Sequence, residues 1–197
     1  MRVFIAVLVL IFSFQSWTRA DDIRDFEIEG MSIGDSLLDY FSESKIKESK
    51  QETQYPASDR YIILTFAEID RFEVYDSVQI DYKKKDNEYV IASIMGMLSF
   101  LNDIDACYEK QKIIANEVSQ LFPKAKKQDG KQKKGFDKTG KSTSYLYEFH
   151  LSTGEVVQIS CDDWSEEMNK RHNLTDHLGV SVMSKDLVNF LYDEAYK

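Results

Sequence analysis

The chain has 197 residues, 43% hydrophobic, with 34 acidic and 25 basic side chains and a net charge of −9. An acidic body excludes the broad basic surface on which nucleic-acid binding depends. Twelve Phe, eleven Tyr and only two Pro predict a sheet-rich chain with few forced breaks.

The first twenty residues read as an address. Arg2 supplies a short positive start, Val3 to Phe14 is apolar apart from Ser13, and Thr18 and Ala20 precede Asp21 and Asp22. That layout predicts a signal peptide over residues 1–20, cleaved after Ala20, and hence export. An apolar run of about a dozen residues spans roughly 18 Å as a helix, short of a bilayer core of about 30 Å. No later stretch could span a membrane, and no cysteine lies near the cleavage site to carry a lipid. Residues 21–197 are enough for a single domain. They carry −11, divided as −11 over 21–123, +6 over 124–141 and −6 over 142–197.

In chain order, Ser32 is placed to cap a helix running to about Ser42, with Asp35 in the capping-box position and Leu37, Leu38 and Phe41 as its apolar face. A polar linker, "SKIKESKQETQYPASD", leads to three strand candidates, "RYIILTF", "FEVYDSVQIDYK" and "EYVIASIMGMLSF". In the second, Val74, Val78, Ile80 and Tyr82 share one face. Asn102 or Asp103 opens a long helix whose stripe runs through Ile104, Cys107, Tyr108, Gln111, Ile114, Ala115, Val118, Leu121 and Phe122, interrupted only by Gln111 and stopped by Pro123. A lysine-rich loop, 124–141, precedes "SYLYEFHL" and "EVVQISC".

A three-residue turn, Ser152-Thr153-Gly154, with Gly154 left-handed, pairs 149 with 157, 147 with 159 and 145 with 161. It thereby places Tyr145, Tyr147, Phe149, Val157, Ile159 and Cys161 on one face. "HLGVSVM" forms a last strand, and Ser184 caps a closing helix, "KDLVNFLYDEAY". The fold class is α+β: tandem α-β-β-β units, about 30–101 and 102–197, plus a C-terminal helix, with helices on one face of an antiparallel sheet.

Cys107 lies on the apolar stripe of the long helix and Cys161 on the inward face of a strand. In an oxidising compartment the two are expected to form a disulfide.

Gly34-Asp35-Ser36-Leu37 resembles the name-giving motif of the GDSL serine esterases. The resemblance implies Ser36 as nucleophile, with an Asp-x-x-His base near the C-terminus and an alternating parallel fold. His172 is preceded at that distance by Asn169 and His177 by Leu174, and "FLND" at 100–103 has Phe100 where the family has glycine. Three strand candidates also follow in succession. These departures favour Ser36 as a helix residue and leave the hydrolase as the enzyme alternative.

His150, His172 and His177, with Asp162, Asp163 and Asp176, have no metal-ligand spacing, so neither metal nor cofactor is expected. The lysines of 124–141 read as a solvated loop protecting a sheet edge, or as a contact for an envelope protein or anionic surface. Asn173-Leu174-Thr175 matches a glycosylation sequon. The Tyr- and Phe-rich strands read as a core face, with an aromatic ligand groove as a further alternative.

"SFQSWTRADDIRDFEIEGMSIGDSLLDYFSE", "CYEKQKIIANEVSQLF" and "CDDWSEE" resemble a family of short exported proteins of marine alphaproteobacteria without assigned activity. This implies a periplasmic address and a paired Cys107 and Cys161. "EGMSIGDSLLDYF" also resembles the helix opening of small outer-membrane assembly proteins and related inhibitor modules, in which a helix precedes an antiparallel sheet. The expectation is a periplasmic binding module of unknown oligomeric state.

Overall fold

In the computed structural model, residues 23–197 are described, apart from Glu52, Thr53, Glu68 and Asn102. The expected signal peptide and its cleavage point after Ala20 lie outside the described residues. The chain forms seven strands, all but β4 carrying alternating apolar residues: β1 (Tyr61–Ala67), β2 (Ser77–Lys83), β3 (Ile91–Ser99), β4 (Lys126–Lys133), β5 (Thr143–His150), β6 (Val156–Asp163) and β7 (His177–Met183). They form one sheet in the order β1-β2-β3-β7-β6-β5-β4, antiparallel at every pairing. Each half of the chain thus supplies a contiguous half-sheet, joined where β3 meets β7. The α+β class follows directly.

Ile62, Leu64, Phe66, Val78, Ile80, Ile94, Val157, Ile159, Val180 and Val182 turn to one face and share a single buried core. Over it lies α2 (Ile104–Leu121), capped by the Asp103 carboxylate on Ala106 N at 3.1 Å. Cys107, Ala115 and Val118 of its stripe are buried, whereas Leu121 is exposed. Cys107 and Cys161 form the expected disulfide, with their Cα atoms 6.0 Å apart.

Gln111, the break in the apolar stripe, is only 1% exposed. Its Nε2 donates to Tyr145 O at 2.7 Å and Ile159 O at 2.9 Å, so a helix side chain is bonded across two strands. Gln111→Ala removes both bonds and leaves a void; a loss of about 2 kcal/mol in urea unfolding is expected.

The hairpin between β5 and β6 adopts the expected register, Tyr145 with Cys161, Tyr147 with Ile159 and Phe149 with Val157, with Gly154 at φ +107°. The closing helix α4 (Lys185–Asp193) is capped by Ser184, as expected. Its Leu187 and Phe190 pack with Tyr61, Ala92 and Met183 in a second, smaller core. Tyr61 and Met183 alternate with the main-core residues Ile62 and Val182, so α4 covers the opposite face of the sheet from α2. The gathering of helices on one face therefore holds for α2 and not for α4.

Three local expectations are corrected, and one short helix is added to them. The helix from Ser32 to Ser42 is replaced by a single 3-10 turn, Leu37–Asp39, followed by α1 (Glu43–Glu48), which is capped by Ser42 and occupies part of the expected linker. The reach-back half of the capping box is present, with Asp35 Oδ2 accepting from Ser32 N at 2.9 Å. Gly34 takes φ +93°, however, and the backbone of 34–37 pairs with the entry to β3: Gly34 N donates to Ile91 O, Ile91 N to Asp35 O and Leu37 N to Tyr89 O. Strand-like pairing there displaces the helix.

β2 starts at Ser77 rather than Phe72, because the Glu29 carboxylate accepts from the backbone N–H of Glu73, Val74 and Tyr75 at 2.8–2.9 Å and holds that stretch as a loop. Val74 is accordingly exposed while Val78 and Ile80 are buried. The lysine-rich loop is in large part a strand, β4. An edge strand needs only a backbone partner on one side, and β5 provides it while the lysines remain in water. Finally, "WSEEMNKRH" contains α3 (Glu166–His172), with Ser165 as N-cap, acidic residues in its first turn and basic ones in its last.

Candidate functional site

Ser36 terminates no core strand. Its Oγ donates to Glu88 O at 2.6 Å and accepts from Leu38 N at 3.2 Å, so the hydroxyl caps a turn and ties it to the approach to β3. The sheet beneath is antiparallel. The imidazole partner that a serine nucleophile requires is replaced by a backbone carbonyl.

The histidines are dispersed. His150 Nε2 lies 3.4 Å from Glu148, and His177 Nε2 lies 3.4 Å from Asp162 while its Nδ1 is 2.9 Å from Thr175 O. His172 ends α3. Asp176 accepts from Trp164 N at 2.8 Å, and Asp163 meets Thr143 across the sheet. Among the described residues no group of three or more His, Cys, Asp or Glu side chains could hold a metal ion. Asn173, the sequon residue, is exposed and left-handed at the end of α3.

The aromatic face of β5 is turned into the fold. Tyr145 packs edge-on to Tyr108 of α2, and Phe149 is buried in the main core. Two surface depressions are lined by charged residues instead, one by Lys141, Glu166, Glu167, Lys170 and Arg171, the other by Asp59, Arg60, Lys83, Lys84 and Lys85.

That leaves the two edges of the sheet, which are treated differently. Along β1, Gln51 N donates to Ile63 O, and Thr65 N donates to Ser49 O. The Gln54 side chain accepts from Ile63 N at 2.8 Å and donates to Ile63 O at 3.1 Å. This edge is occupied by the chain itself. Along β4, all eight residues are exposed, and among the described residues the strand is paired only with β5, through an unbroken register from Lys126–His150 to Lys133–Thr143.

The β4 edge is held firmly from behind. Lys127 Nζ sits 4.8 Å from the Tyr147 ring centroid and 5.7 Å from that of Phe149. Tyr145 donates its phenolic proton to Asp129 at 2.7 Å, which, together with burial and neighbouring charge, pushes the phenol up to about 12. The turn after β4 is organised by the Asp137 carboxylate, which accepts from Ser142 Oγ (2.6 Å), Ser142 N (2.8 Å), Thr139 Oγ1 (2.7 Å) and Thr139 N (2.8 Å). The Ser142 hydroxyl, with Thr139 behind it, holds that carboxyl well below the usual carboxylate range. Lys134 then reaches Asp162 at 2.5 Å and lies over Trp164.

The result is an unbroken edge of eight residues, about 27 Å at the usual strand rise. It lies within a segment of charge +6 on an otherwise acidic chain.

Comparison with known protein families, curated proteins and solved structures finds no match to this chain. The sequence signal for β4 was its charge, not its periodicity: "KKQDGKQK" has no apolar residue to mark a strand.

Proposed function

We propose that the chain is an exported, periplasmic binding protein of the cell envelope, acting by contact with a protein partner through the basic edge of β4 and without catalytic chemistry of its own. The observation that carries this reading is the contrast between the two sheet edges: β1 is satisfied by Ser49, Gln51 and Gln54, whereas β4 presents its full length to solvent. The disulfide suits an oxidising compartment, and no described helix is long and apolar enough to cross a membrane. Charge of one sign concentrated on one surface raises the encounter rate with a partner of the other sign.

The test combines Lys126→Gln, Lys131→Gln and Lys133→Gln. These side chains are exposed, so stability should change by less than about 0.5 kcal/mol. Crosslinking in intact cells should yield a defined adduct with the wild-type chain and lose it in the triple variant. An adduct retained in the variant would remove β4 from the interface. The mass of the purified mature chain, expected to begin at Asp21, tests export separately.

A further inference from the structure

The hydrogen bonding of β4 decides which of its backbone groups are already used. Lys134 N donates to Ser142 O at 3.0 Å, and in an antiparallel ladder the bonded pairs recur every second residue. Followed through the register, Gln132 with Ser144, Gly130 with Leu146, Gln128 with Glu148 and Lys126 with His150 are the pairs that exchange bonds with β5. Lys127, Asp129, Lys131 and Lys133 therefore turn their N–H and C=O groups outward.

The same rule holds at the other edge of the sheet. Lys84 N donates to Arg60 O, which makes Ile63 and Thr65 the outward residues of β1. These are the residues bonded by Ser49, Gln51 and Gln54.

By strand alternation the side chains of Lys127, Asp129, Lys131 and Lys133 all lie on one face of the sheet, beside Phe149, Tyr147, Tyr145 and Thr143. Outward backbone groups and three of the basic side chains thus belong to the same residues. No bulge interrupts the eight pairs, the strand contains no proline, and among the described residues no further strand pairs with this edge. The edge is protected by charge alone, and charge protects only against segments that are not acidic.

We propose that β4 accepts an extended acidic segment of another protein as an eighth, antiparallel strand of the sheet. The segment carries acidic residues opposite Lys127, Lys131 and Lys133 and a neutral or basic residue opposite Asp129. This rests on the binding role proposed above and adds its mode. Main-chain bonds to the four outward residues provide attachment, and directly opposed side chains provide selection. An anionic lipid surface would meet the lysines but leave the row of backbone groups unpaired, which is why a polypeptide is favoured.

The test uses the full mature chain with its disulfide intact and a fluorescent peptide whose core reads glutamate-valine-glutamate-valine-threonine-valine-glutamate. Two isomers carry three N-methyl groups each, one on the first two glutamates and the threonine, whose amides would face β4, the other on the three valines, whose amides would face away. At low ionic strength the unmodified and valine-methylated peptides should bind saturably, and the glutamate-methylated one at least about tenfold more weakly.

On the protein side, Lys131→Pro removes an outward N–H that β5 does not use, and Lys131→Gln removes only the charge. The proline variant should bind at least about tenfold more weakly than the glutamine variant, with an unchanged melting temperature. Equal weakening by the two methylated isomers, measured on the wild-type chain, would overturn strand addition while leaving a charge-driven interface standing. Binding to phosphatidylglycerol vesicles without binding to the peptide would overturn it in favour of lipid. Failure of every peptide would overturn it as well, and the crosslinking experiment above decides independently whether β4 binds a protein at all.

Discussion

Replacing Cys107 and Cys161 together by alanine, or reducing the bond between them, will lower the stability of the fold by about 4 kcal/mol. The bond closes a loop with a sequence separation of 54, and in the chain-entropy account a loop of that size removes about this much freedom from the unfolded state. Both sulfurs are buried in the main core, between α2 and β6. The closed loop contains the whole of β4 and β5. Its opening should therefore act first on the basic edge: amide exchange in β4 should accelerate more than in β2 or β3. Urea unfolding with and without reductant measures the total. A midpoint shift equivalent to less than about 1 kcal/mol would show that α2 is held to the sheet by packing and Gln111 alone.

Asp81→Asn will raise stability at pH 7.5 and leave it nearly unchanged at pH 4. Asp81 is 4% exposed, on the sheet face covered by α4, and accepts from Tyr55 at 2.7 Å and from Ser93. Tyr55 in turn packs edge-on to Phe190 and Tyr196, and Phe190 packs on Tyr61. Burial outweighs the two hydroxyl bonds and lifts the carboxyl from 3.8 to about 6. The folded chain therefore holds this proton more tightly than the unfolded one. The stabilisation from Asp81 protonation is complete below pH 4, declines between about pH 4 and 6, and is gone above that range. The whole effect is about 3 kcal/mol.

Asparagine fits the same space, accepts from Tyr55 and donates to Ser93, and it does not ionise. The difference in melting temperature between variant and wild type should open as pH rises from 4 to 7. A difference independent of pH would mean that Asp81 stays protonated, or is freely solvated, throughout.

Much of this architecture was legible from residue pattern. Ser184 and Asp103 stood where helix caps were expected, "HLGVSVM" became β7, and the turn at Gly154 set a register that put Cys161 under Cys107. These signals are local, or rest on sorting polar from apolar faces, and both are written in single side chains. Four features were not legible, three because the decisive partner is distant in sequence and the fourth, β4, because its own residues carry no strand pattern. Ser36 is held by Glu88 and Val90 rather than by its own helix. The loop at 73–75 is fixed by Glu29. The face chosen by α4 depends on Tyr61 and Ala92. β4 has no apolar residue at all and exists because β5 offers it a bonded edge. The candidate site was visible as a charge anomaly, but its outward backbone groups could be assigned only once the Lys134–Ser142 bond fixed the ladder.

The position of β7 has a consequence for how the molecule comes to exist. The strand that joins the two half-sheets comes last in chain order among the seven described, and α4 behind it clamps onto residues of the first half. A nascent chain lacking residues 177–193 possesses two unjoined ribbons, each with a raw inner margin, and no way to marry them. Closure of the sheet therefore waits until residues 177–193 are available, however much of either ribbon has already formed.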